Sequence, residues 1–163
     1  MALARADLTL LRVMRRRGHQ PRLERAVHEY SRMGEHSRLW FAIGAAGALT
    51  DERHRSVYLR LMRALVAAEV SNAVLKRVVR RRRPQLDGLP PLMATRSQLS
   101  FPSAHASTSF AAARVLAGGA LPVAGVYMLA TAMAASRPYL GVHYPSDVVA
   151  GALLGTALVE LLP

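Results

Sequence analysis

From residue 38 onward the chain runs in long apolar stretches separated by short polar breaks. The stretches cover about Leu39 to Leu49, Val57 to Val79, Ala104 to Ala117, Leu121 to Ala135 and Val148 to Leu162. The third and fourth part at GGALP, where Gly118 and Gly119 can end one helix and Pro122 can sit in the first turn of the next. The pattern predicts five helices. Several are nearer 15 residues than the roughly 20 needed to cross about 30 Å of hydrocarbon. Either they extend into polar flanks or they are buried within a bundle. Arg60 and Arg63, near the start of the second, are expected to reach an interface by snorkelling. Small residues such as Gly151 and Gly155, four apart, favour close packing of helices.

Residues 1–37 read differently. Ala2 to Arg17 predicts a basic helix, and after Gly18 and Pro21 the run RLERAVHEYSRM carries Leu23, Ala26, Val27, Tyr30 and Met33 at amphipathic spacing. That helix can pack on the domain's own surface or lie among headgroups with its arginines facing anionic lipid, and the two readings are compatible. The triplet Arg15 to Arg17 is not followed by the apolar stretch of a signal peptide, so the segment reads as retained. The division expected is a basic N-terminal region over 1–37 and a membrane domain over 38–163. No strand pattern or repeat interrupts this all-α reading. The long stretch from Arg83 to Pro102 holds four prolines before the next helix, and a loop of that length is usually functional.

Charge sharpens the picture. Hydrophobic residues make up 52% and charged residues 20%, yet the formal net charge is +12. Such a balance fits nucleic acid or an anionic membrane. The apolar runs select the membrane, so nucleic acid is not expected as a partner. There is no cysteine, which removes disulfides and thiolate metal sites. Nothing in the sequence sets an oligomeric state.

Three polar clusters interrupt the apolar pattern. In KRVVRRRRP, Lys76 and Arg83 are seven apart, two turns and one face if helical, so both can converge on one anion, while Pro84 places Arg83 at the helix end. Arg77, Arg80, Arg81 and Arg82 read as a headgroup-binding cluster. In FPSAHAST, Ser103 is a candidate N-cap and His105 falls in the first turn, where free N–H groups attract anions. In SRPYLGVHYPSD, His143 and Asp147 are four apart around Pro145, so the carboxylate can fix one imidazole tautomer, and Arg137 follows the preceding helix. Each cluster alone also has a structural reading as a cap or an interfacial anchor.

If the five helices all span, the three clusters meet on one side. Most of the 22 Lys and Arg fall on that side too, which favours a cytoplasmic site. Three cations (Lys76, Arg83, Arg137), a helix N-terminus, two histidines and a carboxylate suit a phosphate. In the expected mechanism His143 attacks phosphorus, Asp147 orients it, and His105 protonates the leaving oxygen and then activates water. Lys76, Arg83, Arg137, Ser103 and the Ala104 N–H bind and stabilise the phosphoryl oxygens. No metal or other cofactor is called for.

These three motifs, in this order and spacing, resemble the signatures K-x6-RP, PSGH and SR-x5-H-x3-D of the type 2 phosphatidic acid phosphatase superfamily. The resemblance spans Lys76 to Asp147. It implies a polytopic membrane helical bundle of the phosphatase and haloperoxidase type and a phosphohistidine intermediate on His143. Ala104 stands where the family has glycine; it keeps the N–H donor but narrows the approach. SRMGEHSRLW, LKRVVRRRRP, LSFPSAHAST and LGVHYPSDVVAG further resemble small actinobacterial members of that superfamily that act on a polyprenyl-linked phosphoribose in cell-wall arabinan synthesis. That implies a polyprenyl-linked phospholipid as substrate and membrane lipids as surroundings. Phosphatases of polyprenyl diphosphate or phosphatidylglycerophosphate would share the same residues, and a non-enzymatic membrane adaptor would use the motifs only as caps.

Overall fold

The computed structural model describes residues 2–95 and 97–162; Met1, Arg96 and Pro163 lie outside it. Seven α-helices make up the described chain: α1 (Ala2–Arg16), α2 (Pro21–Met33), α3 (Arg38–Thr50), α4 (Arg55–Val79), α5 (Ala104–Leu116), α6 (Val123–Tyr139) and α7 (Pro145–Leu161). All five apolar runs are helices. Four of them take in polar flanks: α3 includes Arg38 and Thr50, α4 includes Arg55 and Ser56, and α6 and α7 extend further. α6 continues past Ala135 because Ser136 and Arg137 are buried despite their polarity, and α7 starts at Pro145, whose fixed φ suits a first helical position. Pro122 takes the N-cap of α6 rather than its first turn.

α5 is the centre of the bundle, packed against α3, α4, α6 and α7. It is small enough to be enclosed: Ala106, Ser107, Ala111, Ala112 and Ala113 are all buried. The tightest crossing is with α7. A Cβ at Gly155 would lie 1.9 Å from the carbonyl oxygen of Ser107, and one at Gly151 2.5 Å from that of Ser103. The glycine pair therefore sets the separation of the two helices that carry the second and third polar motifs. α3 joins the core through Trp40, which is fully buried and donates from Nε1 to Ser109 Oγ at 2.8 Å.

Arg60 does not snorkel. Its Nη2 donates to the carbonyls of Val159 and Leu162, both at 3.0 Å, and so satisfies groups that the end of α7 leaves open. Apolar residues instead face outward in rows, with Val66, Val70, Val74 and Val78 at four-residue intervals on α4, and Val149 and Leu153 on α7. No described helix is by itself both long and apolar enough to cross a membrane. α4 has the length, at 25 residues, but carries Arg60, Arg63, Glu69, Lys76 and Arg77 among its apolar positions.

α1 and α2 pack on α6, and α1 also meets the start of α7. Leu11 is fully buried, Tyr30 donates to the Leu129 carbonyl at 2.7 Å, and the His19 ring stacks on Tyr139 with centroids 4.3 Å apart. Of the two readings of the N-terminal region, packing on the domain is thus realised.

One expectation is corrected here. Lys76 and Arg83 do not share a helix face, because α4 ends at Val79 and Arg80 adopts the left-handed conformation at φ 54. The chain then runs extended, with Arg82 and Leu99 in an isolated antiparallel bridge and the two ends of the long loop joined by Arg83 N–H to Gln98 O at 3.0 Å and Ser100 N–H to Arg81 O at 2.8 Å. Four consecutive arginines before a proline favour this exit, since Pro84 keeps Arg83 out of the helical region.

Candidate active site

A cavity of about 210 Å³ opens at the end of the bundle where α4 stops and α5 and α7 begin. Lys76, Arg83, Ala104, His105, Arg137 and His143 all line it, so residues up to 67 positions apart in sequence share one wall. Gly34, Glu35, His36, Glu69, Met93 and Ser97 also line it. Ser103 does not line it. It is fully buried behind Ala104, where its Oγ accepts from the Ala106 N–H as the N-cap of α5 and its own N–H donates to the Asp147 carbonyl at 3.0 Å.

His143 sits in the turn between α6 and α7, 2% exposed. Arg83 Nη1 lies 3.0 Å from its Nε2. A guanidinium can only donate, so Nε2 presents its lone pair and the ring proton belongs on Nδ1. Asp147 Oδ2 stands 3.6 Å from that Nδ1, too far for a hydrogen bond but close enough to favour the same tautomer. Burial, followed by the charges of Arg137, Arg83 and Lys76, pushes the imidazole well below its ordinary range, so it is neutral at neutral pH.

Asp147, fully buried, is held at both oxygens. Oδ1 accepts from Arg81 Nη1 at 2.8 Å and Oδ2 from the Tyr144 N–H at 2.9 Å. Arg81 was grouped with the headgroup-binding arginines by its place in the run; the structure instead turns it inward. Nothing in four adjacent arginines tells which one folds back.

Arg83 is held by main-chain acceptors and Arg137 by side chains. Arg83 donates from Nε to the Ser97 carbonyl and from Nη1 to the Val142 carbonyl, both at 2.7 Å, and burial pushes its pKa down to about 10. Arg137 Nη1 donates to Ser31 Oγ on α2 and lies 3.3 Å from Met93 Sδ of the long loop, while its Nε is buried without a partner. His105 Nε2 donates to the Ser31 carbonyl at 3.1 Å, which leaves Nδ1 as the nitrogen able to exchange a proton. Ser31 therefore holds two site residues at once. Gly34 passes so near that a Cβ there would meet Met133 Sδ at 2.5 Å and His105 Cδ2 at 2.7 Å. The region after α2 was legible only as the quoted stretch SRMGEHSRLW, not as a wall of the site.

The chain is similar to known proteins in sequence and in fold. Residues 57–162 match the PAP2 superfamily, the type 2 phosphatidic acid phosphatases. The chain belongs to that superfamily. Its PAP2 fold is that of transmembrane phosphatases: it superposes at TM-score 0.81 on a Bacillus subtilis transmembrane PAP2 type phosphatidylglycerolphosphate phosphatase, 27% identical, covering 99% of this chain and 84% of that one. Aquifex aeolicus LpxE, 24% identical, gives the same score over 94% and 92% of the two chains and supports the fold alone. In sequence, the PAP2 chain is 41% identical over 145 residues to the decaprenylphosphoryl-5-phosphoribose phosphatase of Mycolicibacterium smegmatis, covering 89% of this chain and 80% of that one. It is likewise 41% identical to the protein of that name from Mycobacterium tuberculosis strain H37Rv, over 78% and 72% of the two chains. The chain is a phosphatase of a membrane-protein family.

Proposed function

We propose that this chain hydrolyses the 5-phosphate of decaprenylphosphoryl-5-phosphoribose, leaving the decaprenylphosphoryl-ribose lipid and inorganic phosphate. The observation that carries the reading is the 3.0 Å approach of Arg83 to the lone-pair nitrogen of a buried, neutral His143 inside a cavity lined by two further cations. A phosphate drawn there by Lys76, Arg83 and Arg137 meets a nucleophile already unprotonated. The shared identity with the two mycobacterial phosphatases supplies the substrate.

In the reaction, the bound phosphate dianion favours a His105 protonated on both nitrogens; His143 Nε2 attacks phosphorus, the bond to the sugar 5-oxygen breaks, and that oxygen leaves with the proton from His105 Nδ1. His105 then takes a proton from water as that water attacks the phosphohistidine, and phosphate departs from His143. Asp147 stabilises the imidazole as it becomes cationic on phosphorylation. Charge on the equatorial oxygens is balanced by the three cations and the first turn of α5, whose geometry Ser103 fixes by capping. The methyl group of Ala104 narrows the approach beside the leaving group.

The site faces the cytoplasm in this reading, with the basic α1 and α2 against anionic headgroups of the plasma membrane. Exposed Arg12 and Arg16 beside Leu10 and Val13 on α1 suit that contact. Phosphatidylglycerophosphate is the second reading, favoured by the 27% identical Bacillus subtilis structure.

The test is phosphate release by detergent-purified protein, with chelator present, from decaprenylphosphoryl-5-phosphoribose, phosphatidylglycerophosphate and a polyprenyl diphosphate. Preferred turnover of the phosphoribose lipid, lost in His143→Ala, is the expected result. Preference for another lipid would overturn the substrate, and equal activity in His143→Ala would overturn the chemistry.

A further inference from the structure

We propose that Asp7 on α1, acting through Arg81, is a positioning residue for phosphoryl transfer, so that the N-terminal helix is part of the catalytic apparatus. The inference rests on the reading above, in which Asp147 orients His143.

α1 turns an unusual face inward. Among the described side chains of α1, Asp7, Leu11 and Arg15, spaced by four, are the buried ones, and two of these three are charged. An amphipathic helix that only covered a bundle would bury apolar residues there. Arg15 is explained by anchoring, since its Nη2 donates to the Pro90 carbonyl at 2.7 Å and its Nη1 to the Tyr139 carbonyl at 3.3 Å. Asp7 is not, because everything it binds belongs to the site.

Its partners are Arg81 and Ser146. Arg81 Nη2 donates to Asp7 Oδ2 at 2.8 Å, while Nη1 of the same guanidinium donates to Asp147 Oδ1 at 2.8 Å and to Ser146 Oγ at 2.7 Å. The Ser146 N–H donates to Asp7 Oδ1 at 3.0 Å, and its hydroxyl donates to Oδ2. Arg81 is further stacked on Tyr144, with its Cζ 3.9 Å from the ring centroid. Tyr144 and Ser146 lie between His143 and Asp147, at the N-cap and in the first turn of α7. One planar guanidinium thus spans two buried carboxylates, and its plane is fixed from both ends.

The Arg81 side chain is 25% exposed, so water offers it an alternative if one carboxylate is lost. Without Asp7 the guanidinium is free to swing outward, Asp147 Oδ1 loses its holder, and the carboxylate can rotate away from His143 Nδ1. Burial would push the Asp7 carboxyl up, but hydrogen bonds from Arg81 and Ser146 outweigh it and hold the group below its usual range, ionised at neutral pH.

The test compares kcat, KM and thermal midpoint of wild type, Asp7→Asn, Arg81→Lys, the double variant, Asp147→Asn and Arg15→Gln on the same phosphoribose lipid. Asp7→Asn keeps the shape of the side chain, and Arg81→Lys keeps the charge but loses the fork, so folding is preserved in at least one. Both are expected to lower kcat on the order of 10- to 100-fold with KM unchanged, the scale on which misplacing a reacting group acts. The double variant loses little more than the worse single one. Arg15→Gln, which loosens α1 without touching Arg81, lowers the thermal midpoint and keeps kcat. Wild-type kcat in Asp7→Asn and Arg81→Lys, or a fall in the thermal midpoint alone, would overturn the inference. If Asp147→Asn also keeps kcat, the role given to Asp147 fails and the inference fails with it; if only Asp147→Asn loses kcat, the inference alone fails.

Discussion

Arg83 and His143 are tied by a 3.0 Å contact between a guanidinium nitrogen and the unprotonated imidazole nitrogen, although 59 residues separate them. In the proposed reaction, Arg83 binds a phosphoryl oxygen beside the imidazole nitrogen that attacks phosphorus. Its own geometry comes from the carbonyls of Ser97 and Val142. A lysine cannot reproduce three donations from one planar group.

Arg83→Lys is therefore expected to lower kcat/KM by about 2 kcal/mol, the scale of a hydrogen bond to a charged group, or on the order of 30-fold. Steady-state kinetics on the purified variant checks this. An unchanged kcat/KM would mean that positive charge alone suffices at this position.

His143 carries a prediction about pH. Its pKa is depressed by burial first and by three cations second, so the neutral form persists as pH falls below the usual imidazole range. NMR of ring-labelled histidine, assigned with His143→Ala, should show this ring titrating below about 6.5. Arg137→Gln removes the neighbouring charge that contributes most after burial and should move the titration upward. Titration at the ordinary value, unmoved by that substitution, would contradict the described electrostatics.

Packing gives a third prediction. Gly155→Ala places a methyl group against the Ser107 carbonyl and the Ala111 nitrogen, which are backbone atoms that cannot step aside. The expected cost is about 1–3 kcal/mol, with loss of activity because α5 and α7 carry His105 and Asp147. Gly125→Ala in α6 meets nothing within 4 Å and should be neutral or slightly stabilising. Thermal unfolding in detergent distinguishes the two.

The helices and the site differed in how far the sequence disclosed them. Apolar runs are self-announcing, and the motif residues Lys76, Arg83, His105, Arg137 and His143 do meet at one cavity. The end of α6 was hidden because Ser136 and Arg137 are polar and yet buried, a fact set by the neighbours rather than by the residues. Lys76 and Arg83 were expected on one helix face; a left-handed Arg80 brings them together by another route. Arg81 was lost in a run of identical residues, and Asp7 in a helix that composition marks only as basic. Ser31 could not have been found, since its carbonyl and hydroxyl serve His105 and Arg137 only through the docking of α2. Local pattern reports which segments are helical, whereas long-range polar partnerships appear only once the chain is folded.

The central claim is that phosphate passes through His143 in two displacements. The most direct measurement uses a thiophosphate monoester of the phosphoribose lipid made chiral at phosphorus with one heavy oxygen isotope, hydrolysed in water carrying another. Two in-line displacements predict retention of configuration in the released thiophosphate. Inversion would mean that water attacks the substrate directly, and would contradict a phosphohistidine on His143.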